Sequence, residues 1–201
     1  MMEKISKEEI KKLMEIEGEV RGVVFQTDAE YVRLKKGEEG LKILKEKTKE
    51  LGYPIEYEQI KTMDWYPVGL RVVSLLAAKE AFNWGNEEIW DMGNSAPKYS
   101  FIVKLLLKYF LSLRRSLEET STYWRKHYTV GDLEFVELNE EKKYFILRLK
   151  NFKLHPILCT YLTGYFHRFG QYVIKGEKIT IEETKCMFKG DPYHEFLGRW
   201  E

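Results

Sequence analysis

The chain has 201 residues, with 33 Lys and Arg against 32 Asp and Glu, a net charge of +1, 44% hydrophobic and 32% charged residues. That is a globular composition, long enough to bury a core without staples, and so even a charge balance excludes the basic footprint of a nucleic-acid or acidic-membrane binder. No window of about 18 apolar residues exists, so no membrane span is expected.

Met1 is followed by Glu3, Lys4 and Lys7 rather than by the apolar core of a signal peptide. The chain therefore reads as cytoplasmic, where two cysteines are buried thiols or metal ligands sooner than a disulfide. Ser6 and Glu9 form a capping box that opens a helix over residues 6–17, with Ile10, Leu13 and Met14 as its apolar stripe. Residues 20–25 read as a strand. Thr27 or Asp28 caps a helix running to about Lys36, where Gly37 ends it. Leu41, Leu44, Thr48 and Leu51 mark another, stopped by Gly52 and Pro54. Helices are predicted over 67–82, 86–92, 99–113 and 118–127, the third of them apolar nearly all round.

After Gly131 the period changes to alternation. Residues 132–138 and 142–150 read as strands around the turn Asn139-Glu140-Glu141. A helix over 154–169 follows, with Pro156 in its first turn and Gly170 at its end. Strands over 177–183 and 193–200 close the chain. The prediction is a single α+β domain over 1–201: a mostly helical part, 1–130, packed on an antiparallel sheet, then a β-hairpin–helix–β-hairpin over 131–201.

The last two strands carry the chemistry. Alternation puts Glu183 on the face of Ile179 and Ile181, toward the core, and Glu182 on the other. An unpaired carboxylate there is costly, and a cation removes that cost. His194 shares a face with Phe196 and also turns inward. Cys186 lies three residues after Glu183, and Gly190-Asp191-Pro192 turns the chain back. Cys159 falls in the first turns of the preceding helix, where the dipole favours a thiolate. Cys159, Glu183, Cys186 and His194 can thus converge on one tetrahedral ion, and a closed four-ligand site is usually structural. A free cysteine is also an ordinary small buried hydrophobe, and an inward histidine an ordinary hydrogen-bonded core residue.

The segment from Leu158 to Phe166, then Glu183-Thr-Lys-Cys186, Gly190-Asp191 and His194-Glu-Phe196, resembles the 4-vinyl reductase domain family over about a third of the chain. The family pattern is a Cys and a Gly on a helix, then Glu-x-x-Cys, a Gly-Asp pair and a last Cys before an aromatic. Cys159, Gly164, Glu183, Cys186, Gly190, Asp191 and Phe196 fall on it, and His194 stands where the last Cys is usual. The resemblance implies zinc bound through these positions, as in family members that sense aromatic compounds. It also implies a wider superfamily shared with haem–NO sensor domains and a Golgi-transport complex subunit, whose members often dimerise. The Tyr-x-Ser-x-Arg motif of the haem branch is absent, since Tyr109, Ser112 and Arg114 are spaced otherwise. Structural zinc is therefore expected and haem is not, with His127 or His167 as the residue an iron would use.

The aromatic middle packed on the C-terminal sheet is expected to leave an apolar pocket. Its candidate lining is Trp65, Tyr66, Phe101, Leu105, Tyr109, Tyr123, Trp124 and Tyr161, although aromatics at helical spacing are also ordinary core. No Gly-rich nucleotide loop, nucleophile elbow or acid–base pair stands outside the four-residue cluster. The chain reads as a non-catalytic, sensor-type domain for a small apolar or aromatic molecule, with a homodimer or another partner carrying any output. The alternatives are a structural adaptor and, following the family name, a vinyl-group reductase-related enzyme.

Overall fold

The computed structural model describes residues 5–100, 103, 112–174 and 178–201. Ser6 caps α1 (Lys7–Met14) by accepting a hydrogen bond from the Glu9 amide at 3.1 Å, and Ile10 and Leu13 bury its stripe. The strand expected over 20–25 is shorter. β1 is Glu19–Arg21, paired antiparallel with β2 (Trp65–Pro67), and helix begins at Val23. Val23, Val24 and Phe25 have strand propensity, but all three are buried as helix residues. Tertiary packing outweighs preferences of this size.

That helix, α2 (Val23–Glu50), is broken at Gly37, whose φ of 70° and ψ of −171° lie outside helical space. The two helices expected around this glycine are thus two arms of one kinked rod, and glycine takes the positive φ without a Cβ penalty. α3 (Val68–Ala81) buries Val72, Val73, Leu75 and Leu76. α4 (Asn86–Tyr99) runs past the stop expected at Met92, because Gly93, Asn94, Ser95 and Ala96 are buried rather than looped out. Most of the helix expected over 99–113 lies outside the described residues. The helix expected over 118–127 is the shorter α6 (Thr120–Arg125), and a further short helix not expected there, α5 (Leu113–Glu118), precedes it.

β3 (Asp132–Asn139), β4 (Tyr144–Lys150), β5 (Ile179–Lys185) and β6 (His194–Trp200) form an antiparallel sheet in the order β3-β4-β6-β5. The turn-separated strand pairs are joined by α7 (Ile157–Val173). Phe145, Leu147 and Leu149 bury alternate positions of β4, and Phe196 meets Phe166 of α7 edge-on at 4.9 Å. α7 continues through Gly170, where a Cβ would lie 2.2 Å from the Ile179 side chain. The fold is α+β, helical first and ending in hairpin–helix–hairpin. No helix among the described residues is long and apolar enough to cross a membrane.

Among the described residues, α4 and α7 make the most extensive helix–helix contact. Gly93 and Gly164 allow it: a Cβ on either would come within 2.0 Å of a backbone carbonyl oxygen on the other helix, that of Tyr161 or Trp90. Backbone cannot move aside as a side-chain end can. Gly164→Ala is therefore expected to part the helices and cost about 1–3 kcal/mol, as for other overpacked sites. Urea unfolding reads this directly, and an unchanged midpoint would mean a looser crossing.

Candidate functional site

Cys159 lies in the first turn of α7, Glu183 on β5, Cys186 just after β5 and His194 at the start of β6. The Cys159 Sγ is 3.8 Å from the Cys186 Sγ and 3.8 Å from His194 Nδ1, and Glu183 Oε1 is 2.9 Å from the same nitrogen. One ligand atom from each residue lies within 4.8 Å of the others. Strand alternation explains the inward pair. Thr180, Glu182 and Thr184 of β5 face solvent while Glu183 is half-buried, and His194 is buried beside Phe196 on β6. Asp191 fixes the intervening turn by accepting a hydrogen bond from the Cys186 amide at 2.8 Å.

The hydrogen bonding around His194 is informative. Its Nε2 faces the Phe152 carbonyl oxygen at 3.2 Å and so carries a proton. That leaves the Nδ1 lone pair aimed at a carboxylate oxygen. Two acceptors in contact require a second ring proton or a cation between them. Burial, then the neighbouring Glu183 and Cys186, push the Cys159 thiol well above its ordinary pKa. A cation resolves both conflicts: it takes the Nδ1 lone pair and favours the thiolates. The carbonyl behind Nε2 orients the ring as an outer-shell partner does. Phe152, Leu158, Leu162, Phe188 and Phe196 line one side of the cluster.

An apolar cavity runs along α7, with about 730 Å³ free of atoms, counting its open mouth. Tyr161, Tyr165 and Phe169 line it at four-residue spacing, with Leu162 and Phe166 beside them. Val23, Val24 and Thr27 of α2 and Leu133 and Leu147 of the sheet complete much of the wall. Of the residues expected in a pocket, Tyr123, Trp124 and Tyr161 do line it. Trp65 and Tyr66 are corrected. Their pairing in β2 takes them elsewhere: Trp65 lies under the Arg21 guanidinium at 3.7 Å, and Tyr66 packs edge-on against Phe25. Phe101, Leu105 and Tyr109 lie outside the described residues. Tyr165, Phe166 and Phe169 were missed, although their spacing from Tyr161 was a readable signal.

Leu162 borders both the cavity and the cluster. Phe152, the carbonyl partner of His194, also stands edge-on to Trp124 and Tyr128 of the cavity wall. His127 lines the cavity too, with Nδ1 3.0 Å from the Tyr123 carbonyl oxygen, which leaves Nε2 as a lone pair. His167 uses both nitrogens structurally, on Asn94 at 2.9 Å and on the Ile179 carbonyl at 3.1 Å.

Burial lowers the pKa of His127, His155 and His167 below the ordinary 6.5. The folded value lies below the unfolded one, so the unfolded chain takes up protons first as pH falls. Their contribution to stability is complete above about pH 6.5 and is lost toward acid. The urea midpoint is expected to be lower at pH 5 than at pH 7, with a smaller difference in His127→Phe. A difference unaltered by that substitution would contradict the assignment to His127.

No family model matches the chain, and no curated protein matches it. Solved structures do. An H-NOX protein from S. oneidensis in the Fe(II)NO ligation state superposes with a TM-score of 0.69 at 12% identity, over 90% of this chain and 99% of that one. The I5F mutant of T. tengcongensis H-NOX gives 0.65 at 16% identity, over 90% and 97%. An oxygen-binding H-NOX domain related to soluble guanylate cyclases gives 0.62 at 13%, over 90% and 95%. Likeness at these identities shows a shared fold, the one expected of the haem–NO sensor superfamily; the 4-vinyl reductase family itself is not among the matches. The cofactor expectation, structural zinc with haem unlikely, is corrected. Structures with this fold ligate NO at Fe(II) or bind oxygen, and zinc is not what they show. A missing short motif is too slight a ground to exclude haem from such a fold.

Proposed function

We propose that this chain is a non-catalytic, sensor-type binding domain that holds an apolar ligand in the α7 cavity, with a divalent metal ion at Cys159, Glu183, Cys186 and His194 as a structural clamp. The observation that carries the reading is the cavity: aromatic and aliphatic side chains from α2, α6, α7 and the sheet converge on one space. Apolar, aromatic-lined pockets of this character are ordinary sites for small molecules and cofactors. The fold supports it, since its solved representatives are NO- and oxygen-binding domains.

Haem is one ligand the cavity residues suit. His127 presents a neutral imidazole with Nε2 left over, the form in which histidine ligates metals. The aromatic lining of Tyr161, Tyr165 and Phe166 suits an apolar macrocycle. Such a group, when bound, supplies an iron that takes diatomic gases. The chain itself would hold it with His127 and exclude water with its aromatic side chains. At the cluster, four donors leave no position for substrate, which favours a clamp holding α7 to β5 and β6 over a catalytic centre.

The test uses the full chain. Native mass spectrometry is expected to find a co-purifying small molecule, or the protein to bind added haem or decan-1-ol at one site. Haem binding would show as a Soret band that is lost in His127→Ala. A protein that carries no small molecule and binds neither probe overturns the reading.

A further inference from the structure

Tyr128, Tyr161 and Tyr165 all line the α7 cavity, and their phenols lie close enough that Tyr128 raises the pKa of the other two. Tyr128 and Tyr161 are engaged by their surroundings. Arg71 of α3, fully buried and ion-paired with Asp28 of α2, holds the Tyr128 hydroxyl and counteracts the upward push of burial on it. Arg71 and the Thr27 hydroxyl do the same for Tyr161.

Tyr165 has no such neighbour. Burial pushes its phenol well above the ordinary pKa, the Tyr128 and Tyr172 phenols add to the push, and no hydrogen bond opposes it. Among the described residues its hydroxyl has no hydrogen-bond partner, yet it is not one of the sealed, unpartnered atoms of the interior. Its oxygen therefore keeps open surface. Deep in the protein and beside the other two phenols, that surface belongs to the cavity that Tyr165 lines. A phenol that stays protonated offers this space one O–H donor. None of the described lining residues is Lys, Arg, Asp or Glu. An ionised ligand would give up its hydration there for neutral partners, which is costly. A carbonyl oxygen carries no net charge and needs one donor, so it matches what Tyr165 supplies.

We propose that the ligand of this cavity is a neutral, apolar molecule of the ketone or ester class, whose carbonyl oxygen accepts a hydrogen bond from the Tyr165 hydroxyl. The proposal rests on the cavity being a ligand site and names the group that the site selects. Tyr165 is then its specificity-determining residue. The rest of the molecule lies against apolar lining such as Leu133, Leu147, Leu162 and Phe166.

Calorimetric titration of the full chain with heptan-2-one and with 2-methylhept-1-ene, the same skeleton with a methylene in place of the carbonyl oxygen, isolates the head group. Tyr165→Phe is expected to weaken ketone binding by about five- to tenfold, the worth of one hydrogen bond, and to leave alkene binding within about twofold. The infrared carbonyl stretch of the bound ketone should lie at lower frequency in the natural chain than in the variant. Without ligand, the variant should unfold at an unchanged or higher urea midpoint, because the hydroxyl it loses has no partner. Ketone binding unmoved by the substitution, both probes weakened alike, or binding of the alkene alone overturns this proposal and leaves the cavity as a ligand site. A lowered midpoint overturns it too, since the hydroxyl would then be bonded within the protein. A natural chain that binds neither probe, nor decan-1-ol, overturns both readings.

Discussion

Asp28→Ala is expected to destabilise the fold by about 3–5 kcal/mol, because it leaves a guanidinium buried without its counter-ion. Both side chains have no exposure, and the Arg71 donors have few alternatives among the described residues. The loss is a large share of the roughly 5–15 kcal/mol that holds a typical domain together. Asp28→Leu/Arg71→Met is expected to recover most of it, since apolar side chains of similar volume need no partners. Urea midpoints for the single and double variants measure both effects. A single-variant loss under about 1 kcal/mol would mean that water reaches and solvates the pair.

The second large effect belongs to the cluster. A divalent cation at about a thousandfold over its Kd is expected to stabilise the chain by about 4 kcal/mol relative to the metal-free protein. For a chain of this size, that raises Tm by roughly 8–16 °C. Co2+ is a suitable probe, since two thiolate ligands give it intense charge-transfer absorption, and a chelator should reverse both signals. Binding displaces thiol protons, so affinity should fall toward acid. Cys159→Ser/Cys186→Ser is expected to lose the shift and the absorption while unfolding at the temperature of the metal-free parent. A Co2+ shift of the same size in that variant would place the cation elsewhere.

Local pattern made part of this site legible. Alternation in β5 separated Glu183 from Glu182, and alternation in β6 turned His194 inward. The Ser6 cap and the hairpin–helix–hairpin order are likewise properties of neighbouring residues. Other features depend on partners far along the chain. Val23 to Phe25 are helical because of what they pack against, and Gly170 stays in α7 because Ile179 needs its space. Trp65 and Tyr66 left the pocket through a pairing with β1 that neither residue signals. The union of Asp28 with Arg71, and the proton on His194 Nε2 set by the Phe152 carbonyl, arise only when separate elements dock. The i, i+4 series of Tyr161, Tyr165 and Phe169 was readable as a face, but what that face borders was not.

A crystal structure of the purified full chain, with anomalous data collected across transition-metal absorption edges, is the most direct test. It is expected to show non-protein density in the α7 cavity against Tyr161 and Phe166, with an anomalous peak between Cys159 Sγ, Cys186 Sγ, Glu183 and His194 Nδ1. A cavity closed by its own side chains, with hydrogen-bonded thiols and no peak at the cluster, would contradict the account.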